Sequence, residues 1–248
     1  RVDVAFFHCD RKAEYRIGTV IYSDHTALLF PASDTAKAHI NDAHNNYLRL
    51  LTSGIRILDE TLTDRGIVTR LLPFPTLSQI LYQAAQSGDT VVFFTWLNRF
   101  FENILCSGQV LSGEGIDAIL QRGYPGMTFS NCFVQREELV FFRQEWMAEN
   151  IPAGYVLNRA LQQFFSVFPD EKLRQEVYAH FGFEKRHFQE YASAEETFCG
   201  FVADSSVNWS VEAQTKDTAA KIAEESAPQP LRELEEKNKE LTQLYREA

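Results

Sequence analysis

The order of hydrophobic and polar positions divides the chain into a strand-rich first third and a helical remainder. Short β-rich segments end at polar turns such as Asp10-Arg11-Lys12 and Asp64-Arg65-Gly66, which predicts antiparallel strands. The predicted strands are residues 2–7, 15–22, 26–30, 55–58 and 67–72. Residues 36–51 have helical periodicity, so one helix is expected after the third strand.

From Pro75 onward the pattern turns helical. Two helices, residues 76–86 and 89–105, are separated at Ser87-Gly88. Residues 114–122 form a further element, of no assigned type, between these helices and a central hairpin. The hairpin strands are residues 132–134 and 139–142, and three more helices are predicted near residues 153–168, 170–181 and 184–194. The chain is therefore expected to combine a sheet and a helical bundle in the α+β class.

The C-terminal segment follows a different rule. Residues 205–230 are polar and weakly patterned, and they predict a linker. A heptad seam with 3-4 spacing then predicts the start of a coiled coil over residues 231–248, and its members are Leu231, Leu234, Asn238, Leu241 and Tyr245. Asn at an a position is typical of a two-stranded register, so self-association is expected. The alternative is an ordinary amphipathic terminal helix.

Composition and charge exclude several classes of partner. The formal net charge of −10 argues against nucleic acid, which needs clustered Lys and Arg. No apolar run approaches the ~18 residues of a membrane span, and no signal peptide is found, so a cytoplasmic location is expected. The 20 Phe residues predict an aromatic core, and the four separated cysteines are expected to be free thiols. The start at Arg1 suggests a fragment of a longer protein.

A set of short motifs resembles one known kind of domain. The motifs are RIGTVI (16–21), AHI (38–40), NNY (45–47), LSQIL (77–81), GD (88–89), SNCFV (130–134), QEW (144–146) and IPAGYVLNR (151–159). Their order resembles a kinase-like module of multidomain bacterial surface-polysaccharide biosynthesis proteins, distantly similar to aminoglycoside phosphotransferases and protein kinases. The resemblance implies a two-lobed kinase-like fold, with a sheet-rich lobe at 1–74 and a helical lobe at 75–204.

The resemblance also implies a degenerate cleft, because the positions that would carry kinase chemistry hold other residues. Leu29 stands where the third strand would present a Lys, and Asn45 is nearest to the helix Glu that would orient it. Gly126 occupies the place of the catalytic Asp, five residues before the loop residue Asn131. Arg143 replaces the metal-binding Asp after the hairpin, and a guanidinium there would repel Mg²⁺. We therefore expect no metal, no cofactor and no Mg²⁺–ATP binding.

Three further residues complete the expected cleft. Glu145 follows the metal-binding position by two residues, so Glu145 and Trp146 form either a ligand-binding pair or a structural anchor. The structural interpretation predicts that Trp146 is largely buried where the hairpin meets the helical lobe, with Glu145 held by hydrogen bonds or an Arg. Arg16 would face a cleft anion or make a surface ion pair.

Two other groups of polar residues are interpreted as ordinary structure. His39 and His44 lie five apart, about 140° round a helix, so they do not share a face as metal ligands would. The acidic residues Asp59, Glu60 and Asp64 are expected in a solvated loop.

These features favour a non-catalytic, pseudokinase-like scaffold or interaction domain of a larger O-antigen, capsule or surface-glycan biosynthesis protein. Its expected partners are adjacent methyltransferase or glycosyltransferase domains, whose activities the full-length protein could carry. Attachment at the inner membrane through such partners is a second possible location. The alternatives are a divergent phosphotransferase acting on a glycan or small-molecule hydroxyl, and a module that binds nucleotide-sugars or glycans.

Overall fold

The structure is a computed structural model that describes residues 1–204. These residues form three small sheets and six α-helices. The strands are β1 (Val2–Phe7), β2 (Ile17–Tyr22), β3 (Thr26–Pro31), β4 (Arg56–Ile57), β5 (Glu60–Thr63), β6 (Gly66–Arg70), β7 (Val110–Ser112), β8 (Ile119–Gly123), β9 (Cys132–Gln135), β10 (Glu138–Phe141) and β11 (Ala148–Pro152). The helices are α1 (Lys37–Leu50), α2 (Leu77–Ser87), α3 (Thr90–Ser107), α4 (Ala153–Val167), α5 (Glu171–Phe181) and α6 (Lys185–Val202).

The first sheet has five antiparallel strands in the order β1-β2-β3-β6-β5. Helix α1 packs on one face of this sheet through a small apolar core of Ile17, Leu29, Ile40, Ala43 and Ile67. Gly66 begins β6 with φ 139°, and a Cβ there would lie 2.1 Å from the Leu29 carbonyl oxygen. Only glycine fits that approach. The prediction of five strands with a helix after the third is confirmed for the sheet as a whole.

One of the predicted strands lies in a different sheet. The segment predicted at residues 55–58 forms β4, which pairs in parallel with β10 of the central hairpin. The fifth strand of the first sheet is β5, which contains Glu60 and had been interpreted as part of an acidic loop. An edge strand whose residues are mostly exposed has no apolar face, so its sequence carries no alternation.

The helical half holds the larger core. Rings of Phe93, Phe100, Phe129, Phe141 and Phe164 lie in one buried cluster together with residues of α2 and α4. The ring centroids of Phe100 and Phe129 are 4.6 Å apart in an edge-on arrangement. The aromatic core expected from the Phe content is therefore confirmed.

Capping residues set the boundary between α2 and α3. Thr76 caps α2 in a capping box with Gln79, and Gly88 ends it in the left-handed conformation. The Asp89 side chain then accepts a hydrogen bond from the Val92 N–H and begins α3. The predicted break at this position is confirmed.

A third sheet, in the order β11-β8-β7, had no sequence prediction. Residues 114–122 form a 3-10 turn, Gly115–Asp117, followed by most of β8. The strands are short, β7 is exposed along its length, and β11 contains Asn150 at φ 52°. Such irregular strands leave little periodic signal.

Helix α6 is longer than predicted, because it continues from Lys185 to Val202 rather than ending near residue 194. None of the helices within residues 1–204 is long and apolar enough to cross a bilayer. The domain boundary at residue 74 stays a prediction. The predicted linker at 205–230 and the seam at 231–248, including Leu231, Asn238 and Tyr245, lie outside the described residues.

Candidate functional site

A cavity of about 770 Å³ lies between the first sheet and the helical half. Its wall comes from the β1–β2 connection, the loop before β9, the segment after β10, and helices α4 and α6. The volume is in the range of small-molecule pockets. Of the residues predicted for the cleft, the wall includes Gly126, Asn131, Arg143, Glu145 and Trp146.

The centre of this site is the buried carboxylate of Glu145. Its Oε2 accepts a 2.8 Å hydrogen bond from the Arg11 guanidinium. His39 Nε2 lies 3.8 Å from Oε2, too far for a hydrogen bond, and Arg143 Nε lies 3.9 Å from Oε1. Burial alone would raise the pKa of Glu145, but the His39 imidazole and the charges of Arg11 and Arg143 outweigh it and lower the pKa to about 2. The Arg11 contact agrees with the expectation that Glu145 is held by hydrogen bonds or an Arg.

Helix α1 fixes the backbone of this segment through Asn46. Its side-chain amide donates to the carbonyl oxygens of Gln144 and Glu145 at 3.2 Å, and Arg49 donates to its oxygen at 3.0 Å. The sequence had pointed to Asn45 as the cleft residue of this helix, but Asn45 is exposed. Successive residues in a helix are rotated by about 100° about its axis. Asn45 therefore points away from the segment at Gln144 and Glu145 that Asn46 contacts.

Trp146 is half-buried and joins the first sheet to α6. Its ring centroid lies 4.4 Å from that of His39, 5.2 Å from Tyr15 and 5.4 Å from Phe198. The Arg11 guanidinium lies over the ring at 5.5 Å. The contact with Phe198 of α6 fits the predicted position against the helical lobe, and Tyr15 and His39 add neighbours on the sheet side that the prediction did not include.

Arg143 occupies the predicted metal-ligand position in a strained backbone conformation. Its φ is 65°, which is uncommon for a residue with a side chain and costs on the order of 1–3 kcal/mol. The guanidinium donates a hydrogen bond to the Thr19 hydroxyl of β2. Burial lowers the pKa of Arg143 from its usual value. A cation is thus held at the position that the resemblance assigns to the metal-binding Asp.

The remaining predicted cleft residues have structural surroundings. The Asn131 amide donates to the Gly126 carbonyl at 3.0 Å and closes its own loop. Leu29 lies in the apolar core under the first sheet and not in the cavity wall. Arg16 forms an ion pair with Asp204 at 2.8 Å and donates from Nε to the Arg11 carbonyl, so it has the ion-pair role of its two predicted alternatives.

Sequence reasoning missed a second, half-buried ion pair in the wall. Arg159 Nε lies 2.9 Å from a Glu195 oxygen, and the Tyr155 hydroxyl donates to the same carboxylate at 2.7 Å. Burial and the adjacent carboxylate raise the pKa of Tyr155. A second Arg159 nitrogen donates to the Pro125 carbonyl. The available signal was the spacing of Tyr155 and Arg159, which lie one turn apart on α4.

Glu60, expected in a solvated loop, lies at the edge of the same junction. Burial raises its pKa to about 7, opposed only by a hydrogen bond from the Arg143 backbone N–H. His44 packs against Tyr47 and not beside His39. Among residues 1–204, no group of three or more His, Cys, Asp or Glu side chains is placed to hold a metal ion.

The charges in the cavity wall balance one another. Guanidiniums come from Arg11, Arg143 and Arg159, and carboxylates come from Asp10, Glu145 and Glu195. Burial and the nearby Arg11 lower the pKa of His8, which favours its neutral form. Asn158 Oδ1 is buried in the wall without a hydrogen-bond partner among the described residues. The wall therefore presents neutral polar groups beside ion pairs that satisfy one another.

Comparison with known proteins gives one kind of match. No family model matches the chain, and no curated protein matches it. Among solved structures, the chain is similar to the aminoglycoside phosphotransferase APH(2")-IIa in its ternary complex with streptomycin and ATP. The identity is 9%, the match covers 78% of this chain and 90% of that chain, and the TM-score is 0.35. A likeness of this degree says nothing about ligand or reaction.

Proposed function

We propose that this chain is a non-catalytic, kinase-like module whose cleft is a structural junction between its sheet and its helices. The carrying observation is the cluster of Glu145 with Arg11 and Arg143. Phosphoryl transfer needs carboxylates free to bind Mg²⁺ and a cation on the phosphates. Here the buried carboxylate is bonded to Arg11, and Arg143 places a positive charge where the metal would lie.

The biological setting belongs to the same proposal. The motifs around Asn131, Glu145 and Tyr155 resemble those of surface-polysaccharide biosynthesis proteins, which supports a scaffold role beside a methyltransferase or glycosyltransferase domain. The heptad seam supports self-association. In this setting the module positions its neighbours, either in the cytoplasm or at the inner membrane through them.

The test is nucleotide binding by the 248-residue chain. Thermal unfolding is followed with millimolar ATP plus Mg²⁺, with Mg²⁺ alone, and with ATP plus EDTA. We expect no stabilisation by ATP with Mg²⁺ beyond that of Mg²⁺ alone. If ATP did bind, a concentration 100 times its Kd would raise the free energy of unfolding by about 2.7 kcal/mol, which this measurement detects. Mg²⁺-dependent stabilisation by ATP, or measured phosphate transfer to a glycan or other hydroxyl, would contradict the proposal.

One observation favours a second candidate, a module that binds a neutral glycan or the sugar of a nucleotide-sugar. The cavity wall is balanced in charge and holds the unpartnered Asn158 oxygen, which suits hydroxyl donors. Saturation-transfer NMR with neutral oligosaccharides tests it. Binding that is lost in Asn158→Ala but kept in the matched variant Asn98→Ala on α3 would favour this candidate over the scaffold alone.

A further inference from the structure

The β1–β2 connection makes a direct contact with the last turn of α6, at the C-terminal end of the described residues. The Lys12 N–H donates to the Val202 carbonyl, and the Asp204 N–H donates to the Asp10 carbonyl, both at 2.9 Å. Arg11 and Ala203 lie between these bonds as antiparallel partners. We call this contact, made by residues 10–16 and 200–204, the latch.

Side chains reinforce the latch with charge. Lys12 Nζ donates to the carbonyl oxygens of Gly200 and Phe201 at 3.0 and 2.8 Å. These carbonyls lie in the last turn of α6, where a cation is favoured by the helix dipole. Arg16 adds its ion pair with Asp204. The latch is thus largely polar, and its apolar part is the contact between the rings of Tyr15 and Phe201, whose centroids lie 5.0 Å apart.

The latch lies at the cavity. Asp10 and Arg11 form one side of the cavity wall, and Val202 and Ala203 form the side opposite in the contact. Arg11 also donates to Glu145, so the same short segment reaches both the latch and the central ion pair. Separating the two sides of the latch would widen the cavity where they meet.

Few interactions hold the latch compared with the cores around it. Phe201 is 53% exposed, and the hydrogen bonds from Lys12 Nζ are exposed to solvent. Elements with exposed hydrogen bonds and little buried apolar surface open at lower free energy than cores. We propose that the latch opens as a unit while the helical core stays folded, and that its opening controls access to the cavity.

The proposal goes beyond the scaffold function and does not depend on the identity of any ligand. A molecule that enters the cavity only when the latch is open would shift the population toward the open state. By linkage, contacts that favour the closed latch would weaken the binding of that molecule by the factor by which they reduce the open population.

The first arm of the experiment is a charge exchange in the full chain. Arg16→Asp and Asp204→Arg each place like charges in contact, and the double variant restores an opposite pair. Hydrogen exchange at the Lys12 and Asp204 amides should become on the order of tenfold faster in each single variant, as for the loss of one charge-assisted contact. The double variant should recover most of the protection. Lys172→Ala, on an exposed face of α5, is the matched control.

The second arm asks whether an open latch opens the cavity. In a Trp96→Phe, Trp209→Phe background, Trp146 is the sole tryptophan, and its quenching by acrylamide reports access to the wall. Lys12→Ala and Arg16→Asp should increase quenching, with the urea midpoint of the helical core almost unchanged. Faster exchange at Lys12 with unaltered Trp146 quenching would overturn the proposal, because the latch would then fray without opening the cavity. Exchange that accelerates equally across α3 and α4 would also overturn it, because the contact would then open only with the whole fold.

Discussion

The five-stranded sheet and the helical half are stabilised in different ways. The apolar core between the sheet and α1 contains only Ile17, Leu29, Ile40, Ala43 and Ile67, whereas the helical core includes most of the buried rings. The sheet side is joined to the helical half by polar contacts through Asn46, Arg11 and the latch. Apolar contacts join them as well, because Leu50 of α1 belongs to the helical core and Leu58 packs with Phe133. A large core fixes a fold by burial, but a small one depends on directional contacts to fix its position.

The same contrast appears between two carboxylates at the junction. Glu145 faces Arg11, Arg143 and His39, and its pKa falls to about 2. Glu60 has only the Arg143 backbone N–H as a partner, so burial dominates and raises its pKa to about 7. The opposite shifts show that the ionised carboxylate of Glu145 stabilises the contact between the sheet and the helical half, whereas the ionised carboxylate of Glu60 destabilises it.

The largest effect is expected in the helical core. Phe100→Ala should lower the free energy of unfolding by about 3–5 kcal/mol, because Phe100 is fully buried against Phe129. Urea unfolding followed by circular dichroism measures it. The control Phe74→Ala removes a ring that is 38% exposed and should cost much less. Equal costs for the two variants would contradict the assignment of the main core.

A substitution at Glu145, where the sheet meets the helical half, should lower the free energy of unfolding almost as much. Glu145→Gln leaves Arg11 and Arg143 without their carboxylate, and losing one partner of a buried pair costs about 3 kcal/mol or more. Urea unfolding at pH 7 measures this cost. Glu149→Gln, an exposed change on β11, is the control. A loss below about 0.5 kcal/mol, typical of a surface substitution, would show that the pair does not hold the junction.

The stability of the fold should depend on pH through Glu60, with a sign opposite to that of Glu145, because folding raises the pKa of Glu60 and lowers that of Glu145. An acid whose pKa is raised by folding binds its proton more tightly in the folded state, so stability falls as pH rises from about 4.5 to 7 and is then constant. Glu60→Gln should therefore be more stable than the parent by about 2 kcal/mol at pH 8 and equal to it near pH 4. Urea titrations at both values measure the difference. A parent and variant with parallel pH profiles would refute the buried carboxyl.

The smallest effect is expected at Trp146, because it is only half-buried. Trp146→Ala should cost about 2 kcal/mol, less than a core aromatic, through lost contacts with His39 and Tyr15. Trp146→Phe keeps a ring and should recover about half of that loss. Thermal unfolding of both variants is the measurement. An unchanged stability in Trp146→Ala would favour a ligand-binding role for this side chain instead.

The sequence predicted the regular parts of the fold because their periodicity is long. Helices α2, α3 and α4 each present several buried residues at helical spacing, and capping residues mark the starts of α2 and α3. The short strands β5 and β7 expose most of their residues and β11 buries only one of its five, so no face is apolar enough to be recognised. Burial creates the pattern that sequence analysis detects, and edge strands have little of it.

The candidate site was predictable only in part. Motif order located Gly126, Asn131, Arg143 and Glu145 along the chain, and all four lie in the cavity wall. The partner of Glu145 was not predictable, because Arg11 lies 134 positions away and carries no periodic signal. Sequence reasoning chose Asn45 instead of Asn46 for a related reason. The sequence does not show which face of α1 packs against the segment that contains Glu145.

The latch also determines where mechanical load enters the molecule. Asp204 is held by Asp10 and Arg16, so tension on the chain beyond it acts on the five-stranded sheet as well as on α6. A pull from that end would load the Asp204 hydrogen bond before the Lys12 bond, and contacts loaded one after another yield at lower force than contacts loaded together. The small sheet, with its thin core, would therefore respond first to any neighbour that pulls on the C-terminal segment.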